Sequence, residues 1–193
     1  MMGSFATALL AIGLPLGNAN AAVTTVGFEN FTPSTSLTPV GGFPLNFIND
    51  GITGSASSFN GFVSNSLGVI SFAFNQDYDL CSFILWNDVV VVNEGLDVFS
   101  LRFYDSADAL ITTPASTNYV GPRGQVAPEE YVFLSPVSGV RRVELDVASV
   151  QSPSFPTRIE IREVDFGVVP EPSSALLLGL GAFSLVACRR RTC

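Results

Sequence analysis

The chain has 193 residues and a net charge of −8, with nine arginines, no lysine and no histidine. Lacking histidine, it can hold no Ser-His-Asp triad, no Cys-His dyad and no imidazole-ligated zinc. The length suits one domain with a real core, and with both ends set aside six arginines face sixteen acids, a net −10 that argues against a nucleic-acid partner.

In chain order, the first element is an apolar stretch over 5–16 with a helix-ending Pro15 near its end, followed by Gly17 and the small-residue run Ala19-Asn20-Ala21. This layout predicts a secretory signal peptide over 1–22, cut by signal peptidase after Ala21 or Ala22. The basic residue that usually precedes the apolar run is absent, and a buried first helix is the alternative.

From 23 to 68 the composition is Gly, Ser, Thr, Asn and Phe, with turn signals at Thr32-Pro33, 38–42, Asn49-Asp50-Gly51 and Asn60-Gly61. No helical period is sustained there and no repeat occurs. Strands are predicted at 69–74 and 82–87, with a further apolar stretch at 89–92, and 98–104 pairs with 109–112 as a hairpin across 105–108. The segment 130–134 follows a Gly/Pro-rich loop over 119–128. Alternation is plainest at the end. Over 140–147, Val143, Leu145 and Val147 share one face while Arg142, Glu144 and Asp146 share the other, which sets Arg142 to pair with an acid on the solvent side. Over 158–166, Ile159, Ile161, Val164 and Phe166 are apolar, with one slip near Arg162 and Glu163 that predicts a bulge. Short strands separated by turns imply an all-β sandwich over 23–167.

The last predicted element is a helix over about 173–188. Its sixteen residues span roughly 24 Å, against a hydrocarbon core of about 30 Å. It would be a marginal transmembrane helix in the inner membrane, with Arg189, Arg190 and Arg191 holding that end in the cytoplasm and everything before Pro170 outside. Pro170 and Pro172 push Val169 and Glu171 out of the helical region, leaving an extended handle at the outer face.

Val169-Pro170-Glu171-Pro172, the glycine-containing apolar run and the terminal arginines together resemble the PEP-CTERM sorting signal of Gram-negative bacteria, here over 168–193. The resemblance implies processing by exosortase, a membrane cysteine protease-transpeptidase, of a secreted protein in a species that makes exopolysaccharide. The phrases FSLRFYDSADALI (99–111), SGVRRVELDVAS (138–149) and RIEIREVDFG (158–167) resemble a discoidin or galactose-binding-like jelly roll. That likeness implies a β-sandwich which often holds a structural ion.

Several chemistries can be weighed on the residues alone. Sugar binding would use exposed aromatics and loop arginines, and Tyr119 with Arg123 on the 119–128 loop form the candidate mouth. Trp86 continues an apolar strand and is expected in the core, and sixteen Phe against five Tyr and Trp favour core over binding face. Calcium needs only oxygen ligands, for which Asp50, Asp77 and Asp79 are candidates, although no dedicated loop spacing appears. No other cofactor is expected. Asp77/Asp79, Asp105/Asp108 and Glu129/Glu130 are carboxylate pairs of the kind glycoside hydrolysis uses, but each lies in a polar turn where acids are ordinary. Cys81, without a partner in the middle segment, is expected to be a small buried apolar residue. The expectation is a noncatalytic exported surface or matrix protein that binds exopolysaccharide. A purely structural protein and a carboxylate-dependent hydrolase are the alternatives.

Overall fold

The computed structural model describes residues 24–90, 94–111 and 118–169. The expected signal segment, the apolar tail, Pro170 through Pro172 and the three terminal arginines lie outside them. Among the described residues, no helix is long and apolar enough to cross a membrane.

Among the described residues, nine strands form one curled antiparallel sheet: β1 Thr24–Thr25, β2 Phe31–Thr35, β3 Phe62–Ser64, β4 Val69–Asn87, β5 Val98–Tyr104, β6 Leu110–Ile111, β7 Tyr119–Val120, β8 Glu129–Val147 and β9 Ile159–Val168. The path runs β1-β9-β4-β8-β5-β6, with β2 on β4, β3 on β9 and β7 on β5. The all-β sandwich arises because β4 and β8 each serve both layers. The first part of β4 pairs with β2 and with Arg142–Asp146 of β8, and its second part pairs with β9 and with Glu129–Val132 of β8.

This continuity differs from the sequence expectation of separate strands at 69–74 and 82–87, and at 130–134 and 140–147. The polar stretch 75–79 bends the strand without ending it, because Tyr78 still pairs with Val140 and Leu80 with Val137. Register shifts between Ala73 and Ser82 absorb the bend, and Pro136, which has no ladder donor, sits in one of them. The apolar stretch at 89–92 forms no strand where it is described, since Asp88 Oδ1 accepts from the amides of Val89 and Val90 and turns the chain.

Alternation sets the remaining register. Phe99, Leu101 and Phe103 face Val147, Leu145 and Val143, all buried. The opposite face carries a cross-strand ladder: Arg102 meets Glu144 and Asp146, each at 3.2 Å, and Arg142 lies 2.6 Å from Asp108, bonds Glu144, and stacks 3.7 Å over the Tyr104 ring. Arg142 therefore pairs with acids as its alternation implied. The 98–104 hairpin also forms as expected, with the Asp105 side chain accepting from the amides of Ala107 and Ala109.

The core is aromatic, with Phe166 ringed by Phe31, Phe72, Phe74 and Phe83 at 5.1–5.5 Å. Trp86 is only half-buried and packs beside Phe28, and Cys81 is likewise half-buried, so neither is the core residue that its neighbours suggested. Backbone crossings are close. A Cβ on Gly61 would stand 2.1 Å from the Ile161 carbonyl oxygen, so Gly61→Ala is expected to cost about 1–3 kcal/mol, read from chemical denaturation. A substitution without measurable cost would contradict the approach.

Candidate functional site

The outer face of β9 departs most from its local pattern. Alternating acids beside apolar residues would by themselves give a solvated face, yet every residue from Ile159 to Gly167 is buried. The turn-rich segment ahead of β4 folds over that face. Gly27 N–H donates to Asp165 Oδ1, the Asp50-Gly51 turn lies beside Glu163, and the Thr53 carbonyl accepts from Arg162. The predicted bulge is present: Trp86 pairs with Glu163 and Asn87 with Ile161, which leaves Arg162 as the extra residue.

Arg162 is fully buried, and its guanidinium donates to main-chain carbonyls rather than to carboxylates: Asn87 at 2.5 Å, Thr53 at 2.9 Å, Val126 at 3.0 Å and Gln125 at 3.3 Å. Burial lowers its pKa, and the Asp88 charge opposes that shift. Asn87 and Gln151 extend the network. Asn87 bonds the Leu96 main chain in both directions and reaches the Pro122 carbonyl, while Gln151 Nε2 donates to Leu96, Gly121 and Pro122. Three buried polar side chains thus tie together the loops at this end of the sandwich.

The segment that follows Asn87 forms one wall of a crevice of about 120 Å³ lined by Phe43, Phe59, Val63, Val90, Arg158 and the acids Asp88, Glu94 and Glu160. Carboxylate oxygens of the three acids come within 4.8 Å of one another. Phe43 and Phe59 meet edge to face at 5.5 Å. Arg158 Nε lies 2.7 Å from Glu160 Oε1, close enough for an ion pair but at an angle unsuited to a hydrogen bond. Burial, then the hydrogen bond and charge of Glu94, push the Glu160 carboxyl up to about 8 against the pull of Arg158. Asp88 is engaged by two amides, and Glu160 by Arg158 and Glu94, so the cluster forms a negative, aromatic-walled recess.

The expected mouth at 119–128 is placed differently. Tyr119 is half-buried, stacked on Phe99 at 5.5 Å and edge-on to Tyr131 at 5.3 Å, and burial raises its pKa. Arg123 is exposed and lies 3.4 Å from Asp97. The calcium candidates also separate. Asp77 lies 3.6 Å from Arg141 and Asp79 accepts from the Gly139 amide, both at the bend of β4, whereas Asp50 sits beside Glu163.

That last neighbour was missed in the sequence. Glu163 is fully buried and neither carboxylate oxygen closes a hydrogen bond of normal geometry, although the Asp50 carboxyl and the Gly51 amide lie alongside. Burial first, then Asp50, push it up to about 8. Two adjacent acids, one buried and unsatisfied, fit the oxygen-only preference of calcium. Asp50 and Glu163 are the residues that would hold the ion, which would neutralise both carboxylates and fasten the Asp50-Gly51 turn to β9. The only signal in the sequence was the acid standing next to the bulge.

Residues 168–191 match the PEP-CTERM protein-sorting motif. No curated protein is matched by this chain. Among solved structures it is similar to the family 32 CBM from C. perfringens NanJ in complex with galactose, at 12% identity over 75% of this chain and 98% of that one, with a TM-score of 0.54. It is also similar to the F5/8 type C domain of a Bacteroides fragilis protein, at 9% identity over 76% and 96%, TM-score 0.58. A third is the family 32 carbohydrate-binding module from Streptococcus pneumoniae EndoD, at 17% identity over 76% and 96%, TM-score 0.52. At these identities the likeness is one of fold: the middle of the chain is a discoidin-like jelly-roll sandwich, followed by a PEP-CTERM motif that marks an exported protein.

Proposed function

We propose that the chain is a noncatalytic exported protein whose sandwich, over 23–167, binds a glycan of the cell surface or matrix in the Phe43/Phe59 crevice. Its signal peptide over 1–22 is removed at Ala21 or Ala22, and its 168–193 tail is held in the inner membrane by a helix over about 173–188 until exosortase processes it, with release to the outer surface or matrix. The observation that carries the binding reading is the crevice itself: two aromatic rings beside an arginine and three acids, with the Asp88 wall held from behind by the bond from Arg162 to Asn87. Aromatic rings suit the apolar face of a pyranose, and the charged groups suit its hydroxyls. The solved neighbours include modules in complex with galactose and with GalNAc-β-1,3-galactose, which supports a sugar as the ligand class.

A glycan array that includes the host's exopolysaccharide is expected to show selective binding by the full-length chain, weakened at least tenfold in Phe43→Ala and Phe59→Ala. Flat binding across the array would leave the purely structural reading in its place. For sorting, replacing Pro170, Glu171 and Pro172 with alanine in the native host is expected to leave the tail uncut and the protein in the inner membrane. Unchanged processing would refute the role of exosortase.

A further inference from the structure

Arg162 occupies a position that neither the fold nor the crevice alone explains. A buried guanidinium is costly unless all its donors are satisfied, and an acid partner would be the simplest solution. Here the donors go instead to carbonyls of three separate segments: Thr53, three residues beyond Asp50; Asn87, next to Asp88 of the crevice; and Gln125 and Val126 on the 119–128 loop. The β9 bulge directs Arg162 to these carbonyls and places Glu163 beside Asp50. One rigid, planar group thus connects the Asp50–Glu163 corner, the acid wall of the crevice and the neighbouring loop. Gly54 packs against its stem, where a Cβ would lie 3.6 Å from Arg162 Cδ.

We infer that Arg162 is a positioning residue that couples cation binding at Asp50 and Glu163 to the Asp88 wall of the crevice, so that a cation which never touches the glycan sets the order of a segment that does. The inference rests on the crevice reading above. Arginine suits the role because its fork of five donors can address several carbonyls at once, whereas a lysine ammonium has three donors on one atom and cannot span the same three segments.

The test is amide hydrogen exchange on the full-length chain in detergent, with and without calcium chloride as the only added probe. Calcium is expected to slow exchange at least tenfold at 51–54 and also at 88–90, which line the crevice and contribute no carboxylate to the corner. In Arg162→Lys the protection at 51–54 remains and that at 88–90 disappears. Protection at 51–54 without 88–90 in the wild type, equal protection in the lysine variant, or no protection at either segment would each overturn the coupling. If Arg162→Lys does not fold, the wild-type Arg162 Nε–H resonance takes its place: it is expected to shift on calcium addition, and an unmoved resonance counts against the inference. No glycan enters this experiment, so its failure leaves the glycan reading standing, and a flat glycan array leaves the coupling standing.

Discussion

Raising the pH from 5 to 9 is expected to destabilise the protein by about 3–5 kcal/mol, half of what two shifts of this size would give at roughly 1.4 kcal/mol per pH unit. Glu160 and Glu163 are both pushed up to about 8 from an ordinary value of 4.5, chiefly by burial. Asp165 is raised as well, burial again outweighing its amide bonds. A carboxyl whose pKa is higher in the fold than in the unfolded chain keeps its proton longer when folded. Its contribution is complete below about 4.5 and is lost as the pH climbs through about 8. The absence of histidine makes the readout unusually clean, because no imidazole titrates in that window. Calorimetric melting points at pH 5, 7 and 9 test this, with Glu160→Gln and Glu163→Gln each removing part of the slope and the double variant leaving only the share of Asp165. A wild-type profile already flat over that range would sink the account. Millimolar calcium is expected to erase the Glu163 part alone, since a bound cation stabilises the ionised carboxylate.

Phe166→Ala is expected to cost about 3–5 kcal/mol, equivalent to a fall in Tm on the order of 10 °C for a domain of this size. The ring is fully buried and touches four other phenylalanines drawn from β2 and from both ends of the β4 bend, so its removal opens a cavity where the two layers meet. Leu134→Ala is the control. That side chain is 86% exposed, and its loss should leave Tm within a degree or two. A cost below about 1 kcal/mol for Phe166→Ala would show that the aromatic cluster is not the centre of the core.

Strand pairing was legible where a period of two survived. The faces of 98–104 and 140–147, the hairpin between Tyr104 and Leu110 and the slip at Arg162 all follow from the spacing of apolar residues along single strands. The continuity of β4 and β8 was not legible. The polar residues at 75–79 carry the same composition as a turn, and only the partners Val140 and Val137 across the ladder keep that stretch extended. The packing of Tyr119 in the candidate mouth was not legible for a related reason. An aromatic residue in a Gly/Pro-rich stretch looks available, but Tyr119 pairs in β7 and packs against Phe99 and Tyr131.

By itself the sequence settled matters that depend on residue identity or on neighbours a few positions apart. These are the exclusion of histidine chemistry, the all-β alternation, and the Pro-Glu-Pro, apolar and arginine order of the sorting tail. Tertiary structure alone decided which polar groups meet. Asp88, Glu94 and Glu160 converge, Glu163 finds Asp50, and Arg162 reaches three loops because the segment ahead of β4 closes over the outer face of β9. A strand's alternation shows that one face is buried and carries no information about a distant segment covering the other. Burial by that cover is what raises the pKa of Glu160, Glu163 and Asp165 above that of ordinary surface acids.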